Sequence, residues 1–325
     1  MTKLACTEEK TQSNIEKKTL EDYVAFFTTK KGADMLPYAY LEATDNYNNL
    51  VKNCPDYYLF NDEVKTISSN KDALKEYLKE VTDIVEIGPG SDYTLEHKTL
   101  PILSYVENLK RYHAIDISKD YLDNACNYIK RHKPELEICS VEADLMRDEK
   151  IELNQIPYGK KAVIFLGSTL GNFTQMQQNY VLKQISMLTE ANEIVIIAID
   201  TNQDKNSLIK AYNNSYSTKL VLAIIRNFTK ISPKFLPYVN SFEVECRWDE
   251  ANKLIDIFFV VKDNISFYLE NYGEIILTKG QELRGVTSRK PSKECIATLL
   301  QQNQFDVLDI LHYSNKMQLF ICKRN

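Results

Sequence analysis

The first residues in this chain whose types and spacing could do chemistry lie at 83–92, DIVEIGPGSD, where an apolar run carries an acid and then breaks into glycines. Ile84, Val85 and Ile87 read as a short strand that holds Glu86 and ends at Gly88, Pro89 and Gly90. A strand running into a glycine-rich turn brings bare backbone N–H groups and a helix start against a ligand. A second segment, YHAIDIS, ends at Asp116, about 28 residues after Gly88, where a carboxylate is placed to take a pair of ribose hydroxyls. A third, ICSVEADLM, ends with Asp144, and a fourth, AVIFLGSTLGN, carries Gly167 and Asn172. Four strand ends bearing small or polar residues make one nucleotide-type cleft.

The elements that position these residues alternate strand and helix. Helical spacing over 62–80 (Val64, Ile67, Leu74, Tyr77, Leu78) leads into the first strand, and Ser118 is the expected N-cap of a helix to His132. Strands are expected at 136–141, 162–166 and 193–200, with a helix over 174–189. Near-continuous runs such as IVIIA predict strands buried on both faces, as in a parallel sheet. After Asp200 the rhythm changes. A helical stretch over 206–229, interrupted near Asn213, is followed by strand-like segments at 241–248, 253–261, 265–269 and 274–277. A helix over 291–302 and two strands, 305–313 and 317–323, close the main sheet with an antiparallel hairpin. The expected plan is an α/β core from 63–201 and 290–325, with a smaller α+β substrate-binding module from 19–62 and 202–289. A Tyr-rich stretch in that module (Tyr38, Tyr40, Tyr47, Tyr57, Tyr58) combines apolar area with hydroxyls, although a single tyrosine is more often packing than site.

Bulk properties narrow the classes. A chain of 325 residues with a net charge of −5 lacks the basic face that a nucleic-acid backbone demands, so no nucleic-acid partner is expected. Seven cysteines with no CxxC spacing read as reduced thiols. Four histidines show no metal-ligand spacing, so no metal is expected. No apolar run approaches the ~18 residues of a membrane span, and the polar N-terminus does not read as a signal peptide, so the expectation is a cytoplasmic protein with no membrane partner.

The cofactor follows from a missing residue. A third glycine in such a turn permits close packing beside a pyrophosphate, but here Gly88 and Gly90 are followed by Asp92 and Tyr93. A ligand without phosphates, S-adenosylmethionine, is therefore expected, and the sheet should be the class I (Rossmann-like) methyltransferase sheet. Glu86, Gly88, Gly90, Asp116 and Asp144 are its expected contacts, Asp116 at the ribose and Asp144 at the adenine amine.

The series VEIGPGS, HAIDIS, VEADL, GSTLGN and, about 40 residues later, AYNN resembles the histidine-specific methyltransferase family over nearly the whole chain, from about Met35 to Lys323. The resemblance implies transfer of a methyl group to the α-amine of an amino acid, with S-adenosylhomocysteine released. It implies that Asn172 and Tyr212 grip the substrate carboxylate, that Gly167 sits beside the amine, and that Ser288 and the residue at 286 face the substrate side chain. Tyr58 (or Tyr57) matches the family's E-Y-Y pair, and Tyr40 an aromatic residue upstream. No residue is marked as a dedicated catalytic base. The family's imidazole-answering glutamate is Val286 here, in GVTS, which would leave a buried imidazole donor unpaired at about 1–3 kcal/mol. The expectation is an N-methyltransferase for an amino acid or amino-acid-derived amine other than histidine. The alternatives are an O- or C-methyltransferase, or a non-catalytic S-adenosylmethionine-binding protein.

Overall fold

Apolar runs too short for a helix and too continuous for a half-exposed strand form the centre of the main sheet. The structure is a computed structural model that describes residues 18–29, 32–40, 44–146 and 160–325. Its strands in chain order are β1 (Asp83–Ile87), β2 (Arg111–Asp116), β3 (Glu137–Glu142), β4 (Lys161–Phe165), β5 (Ile194–Asp200), β6 (Phe242–Asp249), β7 (Leu254–Val261), β8 (Ile265–Leu269), β9 (Gly273–Leu277), β10 (Glu282–Arg289), β11 (Phe305–His312) and β12 (Met317–Arg324). The chain forms two compact units, Met1–Asp56 with Lys205–Ser288, and Tyr57–Asp204 with Arg289–Asn325.

The second unit holds a seven-stranded sheet in the order β3-β2-β1-β4-β5-β12-β11. β1 to β5 run parallel to one another, while β12 runs antiparallel to both β5 and β11. β1 and β4 are buried along their whole length, as expected of strands covered on both faces. The register pairs Ile87 with both Ile115 and Phe165, so β1, β2 and β4 end at one edge of the sheet. The helices around it are capped by short polar side chains, at Ser118 as expected. Ser118 Oγ accepts from the Tyr121 N–H at the start of Lys119–His132, and Thr174 and Gln177 form a reciprocal capping box on Gln175–Leu188. The expected helix over 62–80 is instead two helices, Tyr58–Ser69 and Lys71–Leu78. They part at Asn70, whose backbone N–H and side-chain amide both donate to Thr66 O, giving the chain a local alternative to helix continuation.

The first unit carries a three-stranded sheet, β10-β7-β6, and the hairpin β8-β9. Residues 18–28 are helical and bring Tyr23 and Phe27 into an aromatic core with Phe228, Phe235 and Phe267, with Phe26 edge-on to Phe259. Ring pairs of this kind contribute about 0.5–1.5 kcal/mol each beyond the area they bury. The interruption expected near Asn213 is present: helices Lys205–Tyr212 and Ser215–Ile231 meet at Asn214, whose side chain accepts from Tyr216 and Ser217 N–H. Sequence reasoning passed over β10. Its residues, ELRGVTSR, are mostly polar with no period-two alternation, and burial follows no clean alternation either. Among the described residues no helix is long and apolar enough to cross a membrane. The six described cysteines are all free.

Candidate active site

On the second unit, Gly88, Asp116, Asp144 and Gly167 follow the ends of β1, β2, β3 and β4 on the same sheet edge. Two hydrogen bonds draw three of these ends together: Gly88 N–H donates to Ile115 O at 2.8 Å, and Ala143 N–H to Asp116 O at 3.0 Å. Gly88 is exposed and left-handed, with φ +67°, and a Cβ placed on it would meet nothing within 4 Å. That open space over bare backbone is a cradle for a ligand. A Cβ placed on Gly90, φ +76°, would stand 3.3 Å from Thr94 Oγ1.

Asp116 is half-buried at the end of β2, and its Oδ1 accepts from Ser118 N–H at 2.9 Å. Burial pushes its carboxyl above the ordinary carboxylate value, opposed by backbone hydrogen bonds from Ser118 and Ile117. Asp144 accepts from Met146 N–H at 2.8 Å. Ile117, which follows Asp116, is 56% exposed. Two half-buried carboxylates, an exposed aliphatic and a glycine cradle fit the adenosyl part of S-adenosylmethionine.

Glu86 differs from the other expected contacts. It is 1% exposed, with Oε1 accepting from Thr99 Oγ1 at 2.9 Å and Oε2 from Tyr112 OH at 2.5 Å. Both carboxylate oxygens are thus engaged inside the core beneath the glycine turn. Burial pushes its carboxyl up to about 7, against the pull of those two donors and of Lys98.

The loop after β4 is irregular. Gly167 and Ser168 are consecutive left-handed residues, φ +76° and 57°, leading into a 3-10 turn, Thr169–Asn172, that Asn172 ends half-buried. Ser168 Oγ accepts from Asp200 N–H at 2.8 Å. Tyr58 begins the helix Tyr58–Ser69, and its hydroxyl donates to Asp200 Oδ2 at 2.7 Å. Lys290 Nζ lies 2.8 Å from the same oxygen, with both charged side chains fully buried. No sequence signal pointed to Asp200 or Lys290.

The remaining expected residues belong to the first unit. Tyr212 closes the helix Lys205–Tyr212 and donates through its hydroxyl to Ser288 Oγ at 3.3 Å. Ser288 and Val286 are each 4% exposed on β10. Tyr40 is half-buried and packs edge-on against Tyr47 at 5.7 Å. Tyr38, from the same tyrosine-rich stretch, is a packing residue, buried against Tyr23 with its hydroxyl on Asp22. Among the described residues no cluster of His, Cys, Asp and Glu could hold a metal ion.

The strand order, the antiparallel β11-β12 hairpin and the glycine and carboxylate strand ends define the fold of a class I S-adenosylmethionine-dependent methyltransferase. The model of a family described as "Histidine-specific methyltransferase, SAM-dependent" matches residues 42–324, and the chain belongs to that family. Histidine N-alpha-methyltransferase of Mycolicibacterium smegmatis is 26% identical over 183 residues, 54% of this chain and 53% of that protein. The aligned part thus spans little more than half of that relative's length. N-methyltransferase fsqC of Aspergillus fumigatus is 22% identical over 269 residues, 80% of this chain and 71% of that one. Among solved structures, a methyltransferase from Clostridium acetobutylicum overlays with a TM-score of 0.45 at 13% identity, covering 88% of this chain and 99% of that chain.

Proposed function

We propose that this chain is an S-adenosylmethionine-dependent N-methyltransferase whose acceptor is the amine of an amino acid or amino-acid-derived small molecule other than histidine. The cofactor, when bound, supplies an activated methyl group on a sulfonium. Gly88 and Gly90 would leave room for its approach to the backbone, Asp116 would take the ribose diol and Asp144 the adenine amine. Glu86 would act from beneath by fixing the strand end and the turn rather than by contact.

On the acceptor side, Gly167 would stand beside the amine and Asn172 would donate to the carboxylate. Tyr212 and Ser288 of the other unit carry hydroxyls suited to the same kind of polar recognition, and neither adds a positive charge that would repel a sulfonium. Tyr58 and Tyr40 supply aromatic surface. Alignment of an unprotonated amine behind the methyl is the main requirement, and well-oriented reactants can lower a barrier by about 7–11 kcal/mol.

The choice against histidine is carried by Val286. It is 4% exposed at the position that would have to accept from an imidazole N–H, and a valine accepts nothing. An apolar or aromatic side chain suits it better. The test is to follow S-adenosylhomocysteine release with S-adenosylmethionine and a panel of amino acids and their decarboxylated amines. Turnover should occur with an apolar or aromatic member, the new methyl lying on nitrogen, and histidine should be a poor substrate. Histidine as the best substrate, a methyl on oxygen or carbon, or cofactor binding without turnover of any amine would refute this reading.

A further inference from the structure

Beneath the glycine turn of the second unit lies an ion pair that the roles above leave unused. Lys98 Nζ stands 2.5 Å from Glu63 Oε2, and both side chains are only 1% exposed. The other carboxylate oxygen, Glu63 Oε1, accepts from the Gly167 N–H at 2.8 Å. Lys98 also lies over the Phe60 ring, 4.5 Å from its centroid. It sits in a π-helical stretch, Leu95–Thr99, whose last residue donates to Glu86. Such single-turn stretches within α-helices are frequent at functional sites.

A buried ion pair is poor evidence of stabilisation by itself, because a well-packed apolar pair of similar volume often does as well. An apolar pair could not, however, accept from Gly167. That contact falls where the backbone most needs one. Ser168 is a non-glycine residue in the left-handed region, a conformation that L side chains disfavour and that must be held by its surroundings. It is held from one side by Asp200 N–H on Ser168 Oγ and from the other by Glu63 on Gly167. Both ties lead to one helix, since Tyr58 donates to Asp200 and Glu63 lies on the same helix, Tyr58–Ser69.

We propose that Glu63, charge-compensated by buried Lys98, is a positioning residue for methyl transfer: it holds Gly167, and the turn that Gly167 starts, in the orientation that receives the acceptor amine. This rests on the reading of Gly167 as the backbone beside the amine. Two double variants isolate the effect. Glu63→Gln with Lys98→Met removes both charges and keeps an acceptor for the Gly167 N–H. Glu63→Leu with Lys98→Met removes both charges and the acceptor. The Leu–Met variant should show an amine KM about tenfold or more above that of the Gln–Met variant, with the calorimetric Kd for S-adenosylmethionine equal in the two. Equal amine KM values would overturn the proposal, as would a change confined to cofactor affinity or thermal stability.

A measurement on the unaltered protein stands beside them. In 15N-glycine-labelled protein the nine glycines give a short list of amide signals, and that of Gly167 should exchange slowly although the residue is exposed. Fast exchange there would remove the clamp from consideration whether or not the variants fold. Absence of S-adenosylmethionine binding or of any amine turnover by the unaltered protein would instead count against the proposed function, and the exchange rate would still report on the clamp.

Discussion

Replacing Glu86 with glutamine should change how stability depends on pH, by an amount the structure sets. The folded carboxyl titrates near about 7, against an ordinary value of 4.5, because burial disfavours its charged form more than Thr99, Tyr112 and Lys98 favour it. A folded pKa above the unfolded one means that the folded state binds the proton more tightly. The stabilisation is therefore complete below about pH 4.5, declines as pH rises through about 7, and is absent above that. The interval of about 2.5 units, at about 1.36 kcal/mol per unit, corresponds to roughly 3 kcal/mol.

Glutamine is neutral throughout. Its Oε1 can still accept from Thr99, and its amide nitrogen can donate to the Tyr112 hydroxyl, so the local geometry of the two contacts is conserved. Urea unfolding of both proteins at pH 4.5 and pH 8 reads the effect as a difference of differences, which cancels every other titrating group. The variant should gain roughly 3 kcal/mol on the parent between those two pH values. Calorimetry should find cofactor affinity little altered, because neither oxygen of Glu86 is turned to a ligand. A stability difference that stays constant with pH would refute the assignment of a buried, proton-holding carboxyl, and a large loss of cofactor affinity would restore Glu86 as a direct contact.

Three other substitutions probe separate parts of the site. Gly88→Ala meets no atom within 4 Å but forces a side chain into the left-handed region, so thermal or urea unfolding should reveal a loss of about 1–2 kcal/mol, with weaker cofactor binding by calorimetry. Asp116→Asn should raise the S-adenosylmethionine Kd by roughly 10- to 100-fold, the worth of a charged hydrogen bond. Because burial raises the Asp116 carboxyl above its ordinary value of 3.8, cofactor affinity of the parent should fall as pH drops through the folded value. The asparagine variant should lack that fall. Val286→Glu supplies an acceptor where the chain has none, and turnover assays should show kcat/KM for histidine rising by roughly tenfold relative to an apolar amino acid.

The parts of this fold that could be read from sequence are those where one physical rule acts alone. Short segments built on consecutive apolar residues, such as KAVIF and DIVEI, suit a strand covered on both faces, and both are buried along their whole length. Ser118, Thr174 and Asn214 cap helices because a short polar side chain before an amphipathic run has few other uses. β10 could not be read so, since its polar residues satisfy no alternation. The same holds for Glu63 and Lys98. Each sits in a helical stretch rich in charged residues, NDEVK and LEHKT, where pattern alone assigns it to a solvated face. Their burial becomes intelligible only when the loop after β4 is brought over them, with a backbone N–H at Gly167 that needs an acceptor and a left-handed Ser168 that needs a frame. Asp200 and Lys290, fully buried in the same unit, follow the same logic around Tyr58 and Ser168. Where local pattern demands water and the fold supplies none, the sequence has departed from its own folding rules, and such departures gather where function constrains the backbone. Here both gather on one loop, 167–172, whose first two residues are tied by hydrogen bonds at the Gly167 N–H and Ser168 Oγ while Leu170 anchors the turn in the apolar core.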